Sequence, residues 1–113
     1  MNNLEKSLII MMENRIYQMI ALCQKARQLV AGEFAAKQAV LEQEAKLVII
    51  AEDASHNTKK LFNDKSGYRN ISCKEWGTKE KLGSILGKEP RAVIAIVDEN
   101  FAKKIDEMIS KSQ

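Results

Sequence analysis

The sequence predicts an α/β protein, a three-layer α/β/α sandwich around a mixed sheet of about four strands. Two short runs, Leu47–Ala51 and Ala92–Val97, are continuously apolar and rich in β-branched residues, as strands covered on both faces are. Segments with helical spacing alternate with them, and such alternation folds into a sheet with helices on both faces. Five Gly and one Pro in 113 residues are too few for the dense turns of an all-β sandwich or barrel.

The elements follow in chain order. Ile16, Met19, Ile20 and Cys23 recur at the period of a first helix. Residues 1–11 add little to that period, and the chain from Met12 supplies a complete start. Residues 1–11 therefore read as an N-terminal extension, and 12–113 as one domain. Gln28–Ala31 is a short, partly polar strand, and a second helix follows with Ala36, Ala39 and Val40 on one face, joined by Phe34 or Leu41. Beyond the central strand Leu47–Ala51, the stretch Asp53-Ala54-Ser55-His56-Asn57-Thr58 reads as a strand end and helix cap, with Ser55 or Asn57 accepting a backbone N–H. The third helix is expected over about Thr58–Ser66, with Leu61 and Phe62 inward, and an edge strand over Tyr68–Ser72. A fourth helix fits Lys79–Leu86, ended by Gly87 in the left-handed conformation, and Pro90 fixes the exit into Ala92–Val97. The fifth runs from Asn100 with Phe101, Ile105, Met108 and Ile109 on one face.

Several chemistries fail on spacing. Cys23 and Cys73 stand alone, without the paired ligands of a zinc site, and read as buried hydrophobes. Gly83-Ser84-Ile85-Leu86-Gly87-Lys88 has three residues between its glycines where a phosphate-binding P-loop has four, and it ends a helix instead of opening one. His56 with Asp53 and Ser55 lies too close in sequence to converge as a hydrolytic trio. One acidic pair, Glu52-Asp53, is a weak cation signal. The apolar run Leu8–Met12 is too short for a secretion signal and no run spans a bilayer, so a cytoplasmic location is expected. No enzyme, cofactor, metal, small-molecule substrate or membrane partner follows from these residues.

Eighteen Lys and Arg against fifteen Asp and Glu give a net charge of +3, compatible with RNA and equally with a solvated mixed-charge surface. The cations gather near strand–helix junctions. No strand carries two aromatics, which excludes a sheet that stacks bases across its face, so loops and helix ends would have to hold any RNA.

Three segments, in order, resemble a known family: Leu29-Val30-Ala31-Gly32-Glu33, then Ala45 through Thr58 (AKLVIIAEDASHNT), then Lys81 through Ile96 (KLGSILGKEPRAVIAI). Over roughly residues 14–110 the chain is similar to the L-seven-Ae family of ribosomal and kink-turn RNA-binding proteins, in its small bacterial branch of YlxQ type. The resemblance implies an α/β/α sandwich that binds sharply bent RNA, ribosomal RNA among the expected partners. The loop and N-terminus of the second helix and the loop before the last strand would hold it. Carried onto this chain, that surface comprises Gly32, Glu33, Phe34, Lys37, Glu52, Asp53, Lys88 and Arg91. After the glycine the family resembles T-N-E-x-x-K, whereas here Phe34 and Ala35 stand at the Asn and Glu positions and Gln38 at the Lys position. Phe34 suits either a base-stacking residue or a helix-start hydrophobe covering the core. The same fold also suits a protein-interaction module without RNA, which is the alternative function.

Overall fold

A computed structural model describes residues 1–113. Its four strands are β1 (Leu29–Ala31), β2 (Leu47–Ile50), β3 (Ser72–Glu75) and β4 (Val93–Ile96), in the order β1-β4-β2-β3. The central pair β2 and β4 holds the continuous apolar runs, and every residue in them is buried, because helices cover both faces of the sheet. β2 pairs with β3 in parallel, while β4 runs antiparallel to both β1 and β2, so β1, β2 and β3 share one direction. The sheet is mixed and open, as expected.

Five helices cover it: α1 (Asn3–Lys25), α2 (Glu33–Leu41), α3 (His56–Tyr68), α4 (Lys79–Ile85) and α5 (Glu99–Ser112). α2 and α3 pack together on one side, and α1 packs with α5 and α4 on the other. Four of the five are capped by side chains of the types that favour helix starts: Asn2, Ser55, Thr78 and Asp98 each accept a backbone N–H from the first turn. Tyr17 ties α1 to the loop after β3. Its ring meets Trp76 at 4.4 Å between centroids, and its hydroxyl accepts the Thr78 N–H at 3.3 Å.

Two expectations need correction. The edge strand lies at Ser72–Glu75, four residues beyond its expected start, because Tyr68 is still the last residue of α3 and Asn70 turns the chain with φ 58°. The helix extends over this stretch since Phe62 and Ser66, one turn apart, are buried on its inner face. The first helix also begins far earlier than its buried period suggests: Asn2 caps it, and it continues unbroken through the exposed residues 3–11.

The turn from α4 to β4 packs backbone on backbone. A Cβ at the buried Gly83 would collide with the Glu89 carbonyl oxygen and stand 2.8 Å from Pro90 Cα. Gly83→Ala should therefore destabilise the protein by about 1–2 kcal/mol, the overpacking cost less the helix-propensity gain. Gly67 in α3 has nothing within 4 Å of such a Cβ, and Gly67→Ala should stabilise by about 0.5–1 kcal/mol. Urea unfolding of the two variants beside the parent checks both signs.

Candidate nucleic-acid interface

Because β4 is reversed, the C-terminal ends of β1, β2 and β3 and the start of β4 lie along one edge of the sheet: Ala31 pairs with Ile94, and Ile50 with both Val93 and Glu75. The helices that follow those three strands begin there, so the N-termini of α2, α3 and α4 all open on this edge. Helix N-termini carry unpaired N–H groups and positive partial charge. The opposite edge carries a groove of about 500 Å³ with Lys46, Arg69 and Lys103, but there the C-termini of α2 and α3 meet an α5 N-terminus that the Asp98 carboxylate already caps. There Arg69 donates to the Lys65 carbonyl at 3.1 Å, so its charge answers a helix end. The first edge is the better place for an anion.

On that edge α2 is built differently from its neighbours. Gly32 sits at its N-cap with φ 101° and ψ 156°, a conformation open essentially to glycine alone. The Gly32 N–H donates to the Val93 carbonyl at 2.8 Å and its own carbonyl accepts from Ala36, so the cap is anchored to β4. No side chain caps α2, and its first-turn N–H groups open toward a groove of about 480 Å³ lined by residues 31–35 and 90–92.

Arg91 completes the groove. Its Cδ and Nε lie 3.7 Å from the position a Gly32 Cβ would take, so the side chain lies across the bare glycine. Its Nη1 donates to the carbonyls of Glu89 at 3.0 Å and Pro90 at 3.2 Å, and no carboxylate neutralises it. Phe34 projects beside it, 80% exposed. Its alternative role as a core hydrophobe is overturned, since Ala36, Ala39 and Val40 occupy the inner face and Phe34 falls on the opposite side of the helix.

The other expected residues take separate places. Glu33 lines the groove, but its carboxylate accepts the Thr58 hydroxyl at 2.7 Å and so links the starts of α2 and α3. Lys37 is exposed one turn further along α2. Asp53 accepts the Lys79 N–H at 2.9 Å, in the first turn of α4. Glu52 is exposed beside Trp76 and Met12, on the α1 side of the edge. Lys88 is exposed just past the left-handed Gly87 and does not line the groove. Sequence reasoning missed Thr58, Ala35, Pro90 and Ala92; only the order Pro90-Arg91-Ala92 before a strand hinted at a wall. Of the remaining cations, Lys59, Lys60 and Lys74 are paired with Glu75, Asp64 and Asp106, and Lys81 lies over the Tyr17 ring at 5.4 Å.

Residues 14–106 match the model of the ribosomal protein L7Ae/L30e/S12e/Gadd45 family. The chain belongs to the ribosomal L7Ae family. Among its relatives in that family, it is 41% identical over 91 residues to the RNA-binding protein YlxQ of Enterococcus faecium, covering 80% of this chain and 87% of that one. It is 37% identical over 89 residues to the RNA-binding protein YlxQ of Bacillus subtilis (strain 168), covering 79% and 89%. A solved structure of a protein of unknown function from Bacillus halodurans superposes with a TM-score of 0.81 at 36% identity, over 84% of this chain and 96% of that one. The L7Ae-family match starts at residue 14, so the projecting first turns of α1 lie outside it.

Burial disfavours the thiolate, the nucleophilic form, at both cysteines of this L7Ae-family chain. Burial pushes the Cys23 thiol up to about 12 and the Cys73 thiol up to about 11. Both pKa values are raised on folding, so the stability they contribute is complete below pH 9 and is lost as pH rises toward 11–12. At pH 8 a thiol reagent should label the native protein slowly and the urea-unfolded chain at both cysteines rapidly. Gly32→Ala should cost about 1–3 kcal/mol through backbone strain alone, because the space for a methyl group exists. Urea unfolding measures that loss.

Proposed function

We propose that the protein is a non-enzymatic RNA-binding protein that holds structured RNA at the α2 edge. The observation that carries this reading is the Arg91 side chain lying over Gly32 at an α2 N-terminus that no side chain caps. A phosphate oxygen placed there meets a guanidinium and free backbone N–H groups together, and glycine lets the RNA backbone come close. Phe34 offers a face for one unpaired base, in an interaction worth about 1–3 kcal/mol per base. Lys37 and Lys88 add positive charge outside the groove, while Glu33, hydrogen-bonded to the Thr58 hydroxyl, keeps its negative charge at the α2 start.

That geometry favours bent or looped RNA over a regular duplex. A-form RNA hides its base edges in a deep, narrow major groove, whereas a kink splays bases outward beside a crowded backbone. Kink-turn-like and ribosomal RNA are the substrates this reading selects, and the names of the YlxQ relatives support its RNA-binding part.

Gel-shift titrations separate the contributions. Arg91→Ala, alone or with Lys88→Ala, should weaken binding strongly at low salt and make the salt slope shallower by about 0.7–0.9 for each phosphate no longer neutralised. Phe34→Ala should weaken binding about 5- to 100-fold with the salt slope unchanged, because stacking releases no counterions. Stability should shift by less than about 0.5 kcal/mol in the Phe34 variant, whose side chain is exposed. Equal, salt-insensitive binding to a kinked hairpin and a straight duplex would remove the structured-RNA reading. A protein partner retained from RNase-treated lysate, with no RNA bound, would favour the protein-interaction module instead.

A further inference from the structure

Six of the ten large hydrophobic side chains that the fold leaves exposed lie within Met1–Met11, the projecting part of α1. Monomeric proteins rarely leave so much contiguous apolar surface in water. The first turns of α1, ahead of the pocket that Ile9 lines with Ser112 and Gln113 at the end of α5, are also too short to hold a helix by themselves.

The exposed residues form a pattern. Met1, Leu4, Leu8 and Met11 follow one another at intervals of three, four and three, and the row continues through Arg15 and Gln18 to Leu22. That is the spacing of a coiled-coil seam. Leu4 is 71% exposed, and Leu8, Met11 and Leu22 are each about half exposed. By helical geometry the seam lies about 120° around α1 from Ile16, Ile20 and Cys23, which face the core. It is therefore free along the whole outer face of the helix.

We propose that this seam pairs, antiparallel, with the same seam of a second copy of the chain. Charge selects both the partner and the direction. Glu5 flanks the row and Arg15 lies within it, and neither makes an ion pair within its own chain. A parallel pair would stack Arg15 on Arg15 at a core position. An antiparallel pair with Leu8 opposite Met11 of the second copy sets Arg15 against Leu4 and beside Glu5 of that copy. The twofold axis repeats the contact, so one Glu5–Arg15 complement becomes two. The arrangement is closed: it pairs Met1 through Gln18 of the seam on both chains, with Leu22 beyond the overlap, and leaves no further copy to add. It involves neither Gly32 nor Arg91, so it stands apart from the RNA-binding reading.

Sedimentation equilibrium on the full chain without RNA tests the pairing. Between about 5 and 500 μM the average mass should climb from 12.8 kDa toward twice that value. Leu8→Glu, an exposed substitution outside the core, should hold the chain at the monomer mass throughout with its circular dichroism retained. Glu5→Arg and Arg15→Glu should each raise the dimer dissociation constant about fivefold or more, and the double exchange should restore it. A monomer mass at every concentration overturns the proposal, as does a dimer that survives Leu8→Glu. A double exchange no tighter than the single variants overturns the antiparallel register. Binding of the monomer to phosphatidylglycerol vesicles through the same residues would assign the seam to a membrane surface and overturn the proposal likewise.

Discussion

The reversal of β4 is the constraint on which the rest of the structure depends. Inserted between β1 and β2, it satisfies its backbone on both sides and carries four fully buried residues. Were it parallel to its neighbours, the loop before it would emerge at the other edge, and Arg91 would lie a full strand length from Gly32. Reversed, it delivers that loop to the edge where three helices begin. The Val93 carbonyl at its start then accepts the Gly32 N–H, so the strand that anchors the core also fixes the cap of α2. Packing and candidate site are joined by a single register.

The same register explains how the molecule sorts its charges. α2, α3 and α4 follow the parallel strands and all begin at one edge, which their backbone N–H groups make electropositive, whereas α5 follows the reversed β4 and begins at the other edge, where Asp98 caps it. Cations at the second edge, such as Arg69, are absorbed by helix carbonyls, whereas Arg91 at the first meets only two carbonyls of its own loop. Counting lysines and arginines therefore says little about where an anion binds. A net charge of +3 acquires direction only from the topology.

What can be read from the residues follows the strength of the local signal. The central strands are legible because burial on both faces leaves an unbroken apolar run, and the caps at Ser55 and Gly87 are legible because few residue types serve there. β3 is displaced from its expected place because Ser72-Cys73-Lys74-Glu75 holds only one apolar residue; it is a strand through its pairing with β2 and through contacts of Ser72 and Lys74 with Asp106, which no local pattern reveals. At the candidate site, Gly32 and Arg91 are both identifiable from the sequence, but they lie far apart in the chain and only the fold brings them into contact. Glu52 and Asp53 join them through the family resemblance, and the geometry gives Asp53 to α4 and leaves Glu52 on the α1 side. Residues 1–11 are hard to read because helical continuity and core periodicity are different properties. The first runs from Asn3, while the buried period starts only at Ile16.

The backbone contact of Gly83 with Glu89 and Pro90 has a thermodynamic consequence at the candidate site. Where a flexible loop meets a ligand, ordering it consumes part of the interaction free energy, of order 0.5–1.5 kcal/mol for each immobilised side chain. Here the turn is wedged against α4, Pro90 restricts one dihedral angle, and two carbonyls hold the Arg91 guanidinium in place. The cationic wall of the groove is thus held in one shape in the free protein. A ligand docking there as proposed would meet a nearly rigid surface, and the bending would fall to the ligand.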